Sequence, residues 1–219
     1  MRKKRLTAFL AVLLLVGASY VLGWSTFFTV SSVEIKSTNS RGMAMPYLPQ
    51  SIKVGEKLAR VEPRSVAAIY EKINFIQDAK VSRNWLTGKV SITITMRTPI
   101  AIYNNQAIDS FGKAFEIKGQ LLKSLPSIQA LTVEDAISAV DFFTTLPDEI
   151  KSGITVLKVR STGAYVLEVN VGDRMIEVIW GPPRDNALKA KVYKVLLAQS
   201  ENAKIYKMDL SAPHAPIVK

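Results

Sequence analysis

Leu6 to Trp24 runs 19 residues without a charge. As a helix rising about 1.5 Å per residue it would be roughly 28 Å long, near the hydrocarbon thickness of a bilayer. Arg2, Lys3, Lys4 and Arg5 precede this run, and no further cation follows until Lys36. Under the positive-inside rule the pattern predicts a cytoplasmic stub over 1–5 and a transmembrane helix over 6–26. Everything downstream then lies outside the cytoplasmic membrane. Leu6, Leu13 and Leu14 belong to the lipid-facing run, and Tyr20 and Trp24, with Phe27 and Phe28, supply an outer aromatic belt. A cleaved export signal is the competing reading, with Val16-Gly17-Ala18 as its small-residue cleavage site. The apolar run continues past that point to Trp24 and then Phe27-Phe28, so an uncleaved anchor in the lipid bilayer is the expectation.

Cysteine is absent, which excludes a disulfide framework, a thiol nucleophile and a thiolate metal site. An exported chain of this kind is held by packing alone. The net charge is +11, and Arg2 to Arg5 contribute four of those charges. The remaining cations are spread along the chain and are not interleaved with aromatics, so nucleic acid is a poor partner. Anionic lipid or wall polymer suits the charge, and a solvated basic surface accounts for it equally.

Phe28 to Ile35 alternates apolar and polar residues with a one-residue slip at Ser31-Ser32, which reads as a first strand with a bulge. Ser37 to Gly42 is turn-like. Met43 to Leu58 is broken by Pro46, Pro49 and Gly55, so only a short helix fits. A firmer helix begins at Pro63, with Val66, Ile69, Tyr70 and Ile73 on one face. Ala79–Trp85 and Lys89–Arg97 then alternate cleanly across a Thr87-Gly88 turn and predict a hairpin. In the second of these, Val90, Ile92, Ile94 and Met96 point one way.

Past Pro99 the pattern changes to short strands at 100–103, 106–109 and 114–117. A helix follows from Thr132, with Ala136, Val140 and Phe143 on its inner face and Pro147 closing it. Strands are expected at 155–160, 164–171 and 174–180. The Gly181-Pro182-Pro183 break comes next, then a helix facing inward through Leu188, Val192, Val195, Leu196 and Gln199. Lys204 to Leu210 reads as the last strand. The tail from Ser211 carries Pro213 and Pro216 and is not expected to pair continuously.

Catalytic signals are weak. His214 is the lone histidine and sits in the tail, where a solvent-facing role is favoured over metal binding. Ser110-Phe111-Gly112-Lys113 matches the serine–lysine tetrad of penicillin-binding enzymes. That tetrad requires a helix start, and here Gly112 lies inside it and strands flank it. The companion boxes are missing, so it reads as a turn. Glu134, Asp135, Asp148 and Glu149 lie near helix ends, where capping explains them. No catalytic residue, metal or cofactor is assigned.

The chain resembles the bacterial cell-division protein family FtsQ/DivIB. Asn74 to Trp85 followed by Lys89 to Pro99 is similar to the strand pair ending in Arg-x-Pro that closes that family's POTRA domain; Val81, Trp85, Arg97 and Pro99 carry the match. Phe28-Thr29-Val30 and Val33-Glu34-Ile35 resemble its first strand, and Ile52 to Leu58 its glycine turn. Ile108 to Phe115 resembles the Asp-x-x-Gly hairpin that opens its β domain, through Asp109 and Gly112. Val178 to Gly181 and Met208-Asp209-Leu210 resemble later landmarks. Two positions depart from the pattern. Leu86 stands where the family often has proline, and Met96 where it often has glutamate.

The resemblance implies an α+β chain: a single transmembrane helix, a small βααββ POTRA-type domain over 27–99, a larger β-sheet domain with two helices over 100–210, and a tail over 211–219. It implies a non-enzymatic scaffold at the division septum that binds membrane-anchored coiled-coil proteins of the FtsB/FtsL type and other division proteins. A terminal strand leaves unpaired backbone groups that can template an incoming strand. The expected contact is therefore strand addition at Ile205, Tyr206, Lys207, Met208, Asp209 and Leu210. A single-anchor adaptor of an export system and a wall-active serine hydrolase are the alternatives.

Overall fold

The run Lys89–Met96 forms the centre of a small three-stranded sheet. The computed structural model describes residues 2–24, 28–38, 48–117 and 124–219. The chain divides into two compact units, Met1–Arg97 and Thr98–Lys219.

In the first unit, helix α1 spans Arg2–Trp24, β1 Ser32–Thr38, α2 Pro63–Glu71, β2 Ile76–Arg83 and β3 Lys89–Met96. The sheet order is β1-β3-β2, with β3 parallel to β1 and antiparallel to β2. Val90, Ile92, Ile94 and Met96 are all buried, each stabilising the unit by about 1.5–3 kcal/mol through apolar burial. α2 starts at Pro63, where its missing N–H costs nothing, and Glu62 caps it by accepting from the Arg64 N–H at 3.3 Å. Val66 and Tyr70 carry its buried face, whereas Ile69 is exposed. The Tyr70 hydroxyl donates to the Pro49 carbonyl at 2.9 Å, tying the helix to the loop before it.

Three expectations for this unit need correction. Among the described residues no helix is long and apolar enough to cross a membrane, so the membrane-spanning element of the expected fold is withdrawn. The helix itself forms over Arg2–Trp24. The Trp24 side chain and Phe27 lie outside the described residues. Second, the slip at Ser31-Ser32 is a change of partner, not a bulge. Val30 N–H bonds the Glu56 carbonyl and Phe28 C=O accepts from Leu58, while the chain from Ser32 onward pairs with β3. Third, only one α-helix lies between β1 and β2 among the described residues, α2. A short 3-10 turn, Leu58–Arg60, precedes it. The expected turn at 39–42 and the start of the expected short helix, 43–47, lie outside the described residues.

The second unit is one mixed sheet with helices. Its strands are β4 Ala101–Tyr103, β5 Gln106–Ile108, β6 Ala114–Phe115, β7 Ser127–Gln129, β8 Ile154–Val159, β9 Tyr165–Val171, β10 Arg174–Gly181, β11 Lys207–Asp209 and β12 Ile217–Val218. Its helices are α3 Val133–Thr145, the one-turn α4 Asp148–Lys151 and α5 Asn186–Ala198. The strand order is β12-β11-β10-β9-β8-β7-β4-β5-β6. β8, β9 and β10 form an antiparallel meander, and α5 carries the chain back so that β11 lies parallel to β10. Asn104 and Asn105 both take positive φ, the geometry of a tight hairpin turn between β4 and β5. Thr132 caps α3 by accepting from the Asp135 N–H at 3.1 Å.

The core gathers aromatics from three elements. Phe142 of α3 stacks on Tyr165 of β9 at 4.1 Å and meets Trp180 of β10 edge-on at 6.0 Å. Trp180 Nε1 donates to Asn186 Oδ1 at 2.9 Å, satisfying the indole at the start of α5. The inner face of α5 is Lys189, Ala190 and Tyr193; of the expected face, Val192 and Leu196 pack half-buried against the core, whereas Val195 and Gln199 are exposed. Lys189 is tolerated on the inner face because its ammonium reaches the Trp180 and Pro182 carbonyls on either side of Gly181.

Candidate partner-binding surface

Among the described residues β12 ends the large sheet. The tail was expected not to pair, yet Met208 faces Val218 and Asp209 faces Ile217 in antiparallel register. Lys207 and Lys219 exchange backbone bonds at 3.2 and 3.0 Å. Lys204–Leu210 is therefore not the terminal strand: the part of it that forms a strand, Lys207–Asp209, has neighbours on both sides. The proline rule failed because Pro213 and Pro216 fall before the pairing residues, and a turn at 213–214 brings the chain back.

The six residues expected at the partner site divide sharply. Ile205, Met208 and Leu210 are buried in the core of the second unit, Met208 and Leu210 completely. Tyr206 is 64% exposed. Lys207 and Asp209 lie on the opposite face from Met208 and are half-buried. Lys207 Nζ pairs with Glu177 of β10 at 2.6 Å. This contact holds the Glu177 carboxyl below its ordinary range. Asp209 Oδ1 accepts from both the N–H and the hydroxyl of Ser211, closing the turn after β11.

The free edge has moved outward by one strand. Since Lys207 and Lys219 exchange both bonds, the next pair, Met208 and Val218, is the one without mutual bonds in an antiparallel ladder. The Val218 N–H and C=O therefore point away from β11. Ile217 is 56% exposed beside them.

The remaining motif residues are mostly structural. Arg97 Nε donates to the Asn74 carbonyl at 2.9 Å, closing β3 onto the α2–β2 connection. Pro99 is buried and Val81 is half-buried on β2. Asp109 is buried, and its Oδ1 accepts from Phe111 N–H at 2.9 Å and Lys113 N–H at 2.8 Å. That builds the turn in which Ser110 and Lys113 both face solvent. The tetrad thus lies in a β5–β6 hairpin and lacks the helix start that a serine–lysine centre uses. Among the described residues no group of three or more metal-ligating side chains converges.

At the opposite end of the chain, α1 presents exposed apolar side chains. Leu6 is 60% and Leu14 72% exposed, and Leu13 and Tyr20 are exposed with them. No family model matches the chain. No curated protein matches it either.

Proposed function

We propose that this protein is a non-enzymatic scaffold of bacterial cell division that links membrane-anchored coiled-coil proteins of the FtsB/FtsL type. It works on the outer side of the cytoplasmic membrane, as the resemblance implies, and the exposed apolar side chains of α1 offer lipid contact without a spanning segment among the described residues. The observation that carries the reading is the open edge at β12. It offers unpaired backbone groups of Val218 beside exposed Ile217 and Tyr206, which is what strand addition requires. The incoming strand pairs with Ile217–Val218, and Lys204–Leu210 supports that edge from behind.

The test is binding of a purified FtsB/FtsL-type partner to the whole chain. Val218→Pro removes the outward donor while leaving the Lys207–Lys219 bonds, so it lowers affinity at least tenfold with unit 2 still folded. Deleting 204–219 is a poorer test, because it also removes core residues Ile205, Met208 and Leu210. In cells a fluorescent fusion forms a ring at midcell. Uniform envelope staining, or unchanged binding by Val218→Pro, overturns the reading; the former favours an export adaptor.

A further inference from the structure

The β2–β3 turn carries the most exposed large apolar side chain among the described residues: Leu86 is 96% exposed. The turn is firmly built. Asn84 Oδ1 accepts from the Leu86 and Thr87 N–H groups, both at 3.0 Å, and Gly88 N–H bonds the Asn84 carbonyl at 2.9 Å. Ser31 Oγ donates to the Thr87 carbonyl at 2.7 Å, fastening the tip to the chain entering β1. Leu86 is thus held out in solvent by a fixed frame. Trp85 beside it is 36% exposed, edge-on to Phe28 at 6.0 Å. The Arg83 guanidinium carbon lies 5.2 Å from the Trp85 ring centroid.

The charge around this tip is unbalanced. A depression of about 570 Å³ next to it is lined by Glu34, Lys36, Arg83, Asn84, Trp85 and Lys89, among others. Lys36 and Lys89 share the single carboxylate of Glu34, at 3.4 and 2.7 Å. Arg83 spends its hydrogen bonds on the carbonyls of Leu58 and Val61. Three cations therefore face one anion. Protruding Trp and Leu flanked by excess positive charge is the chemistry of an anionic lipid interface, where the ring sits at headgroup depth and the cations meet phosphates. Phe28, which packs on Trp85, follows the end of α1 by only four residues, and the apolar side chains of α1 are exposed as well.

We propose that the β2–β3 tip is a lipid-contacting wedge: Trp85 and Leu86 enter the interface of an anionic membrane while Lys36, Lys89 and Arg83 face its phosphates. This rests on the membrane location proposed above and adds a second, folded point of contact. It also gives a use to Leu86, one of the positions at which the chain departs from the pattern it resembles.

The chain has no cysteine, so Leu86→Cys carries a single environment-sensitive fluorophore on the full-length protein. Phe111→Cys, in an exposed turn of the second unit, carries the same label as a reference. Vesicles are phosphatidylcholine with or without phosphatidylglycerol, with brominated acyl chains as quencher, and flotation reports whether the chain binds at all. The expected result is a blue shift and severalfold quenching at position 86 with phosphatidylglycerol present, weakened by Lys36→Gln, and no change at position 111. If the chain floats but the label at 86 stays aqueous, the wedge is overturned and the membrane location stands. If the chain does not float, both fail. Equal quenching in pure phosphatidylcholine, or a response only when a partner protein is added, also overturns the proposal.

Discussion

Lys189 Nζ donates to the Trp180 carbonyl at 2.7 Å, from a side chain only 1% exposed. A second bond reaches the Pro182 carbonyl at 2.8 Å. One ammonium thus clamps both sides of Gly181, where the chain leaves β10 for α5. Burial pushes the Lys189 ammonium below its ordinary pKa, with Asp185 and Asp209 offsetting part of that shift. The clamp fixes the rotation of α5 and hence which of its residues meet Trp180 and Phe142.

Lys189→Ala removes the donor to the buried Trp180 carbonyl and opens a cavity, while the Pro182 carbonyl keeps the Arg184 N–H at 2.8 Å. The expected cost is about 2–5 kcal/mol of unit 2 stability. Urea unfolding followed by residue-resolved hydrogen exchange in unit 2 measures it. Lys189→Met keeps the volume and sheds the buried charge, so it should cost less than alanine. Alanine and methionine behaving alike would show that the lost volume is immaterial and that the missing hydrogen bonds carry the cost.

Gly88 sits at φ +71, and a β-carbon there would lie 2.5 Å from the Thr29 carbonyl oxygen. Gly88→Ala therefore strains the hairpin and pushes the Phe28–Val30 segment away. Destabilisation of the first unit by roughly 2 kcal/mol or more is expected, with the second unit untouched. Hydrogen exchange resolved by residue separates the two. Protection lost equally in both units, or in neither, would count against this account.

The β10–β11 junction makes a pH prediction. The Lys207 contact holds Glu177 below its ordinary value, and Lys158 and Arg160 add to the effect against the cost of burial. A carboxyl with a depressed folded pKa contributes stability that is present above the unfolded value near 4.5. That contribution is lost as pH falls through the folded value. Both side chains are about one-third exposed, so the pair is worth ~0.2–1 kcal/mol. Glu177→Gln should narrow its gap to the parent chain below pH 4, and a double-mutant cycle with Lys207→Met should show the coupling at pH 7 and not at pH 3.

Much of this architecture is readable from residue patterns. The 89–96 strand announces itself because one face is wholly buried, so the two-residue period is undiluted. Thr132 and Pro63 mark helix starts because a cap and a missing donor are local chemistry. What escaped was set by distant contacts. β7 has a single buried residue, Ile128, too short for a period. β12 depends on a turn at 213–214, ahead of the second proline, and on a partner strand ten residues away. The face of α5 was legible only in part: Val192 and Leu196 pack inward as expected, but a lysine takes a core position that hydrophobic patterning reserves for leucine or valine. The candidate edge was legible to within one strand: the right end of the sheet, but the wrong side of β11. The tip at Leu86 was noted only as a departure from a pattern, since exposure cannot be read from one leucine in a turn.

Tyr193 lies on the buried face of α5, and burial pushes its hydroxyl up to about 12 from an ordinary value near 10. Between those values the folded chain keeps a proton that the unfolded chain has released. Stability must then fall as pH rises from about 10 toward 12, because the unfolded state binds fewer protons. Tyr193→Phe has no proton to lose, so its alkaline decline should be shallower than the parent's, with little difference between them at pH 8. Lys189, whose folded pKa is depressed, contributes with the opposite sign in the same region. It is common to both chains, so the comparison isolates Tyr193. Thermal unfolding at half-unit steps from pH 8 to 11.5 reads the difference directly. Parallel curves for the two chains would mean that Tyr193 ionises as freely folded as unfolded, and that the helix face assigned here is not closed to water.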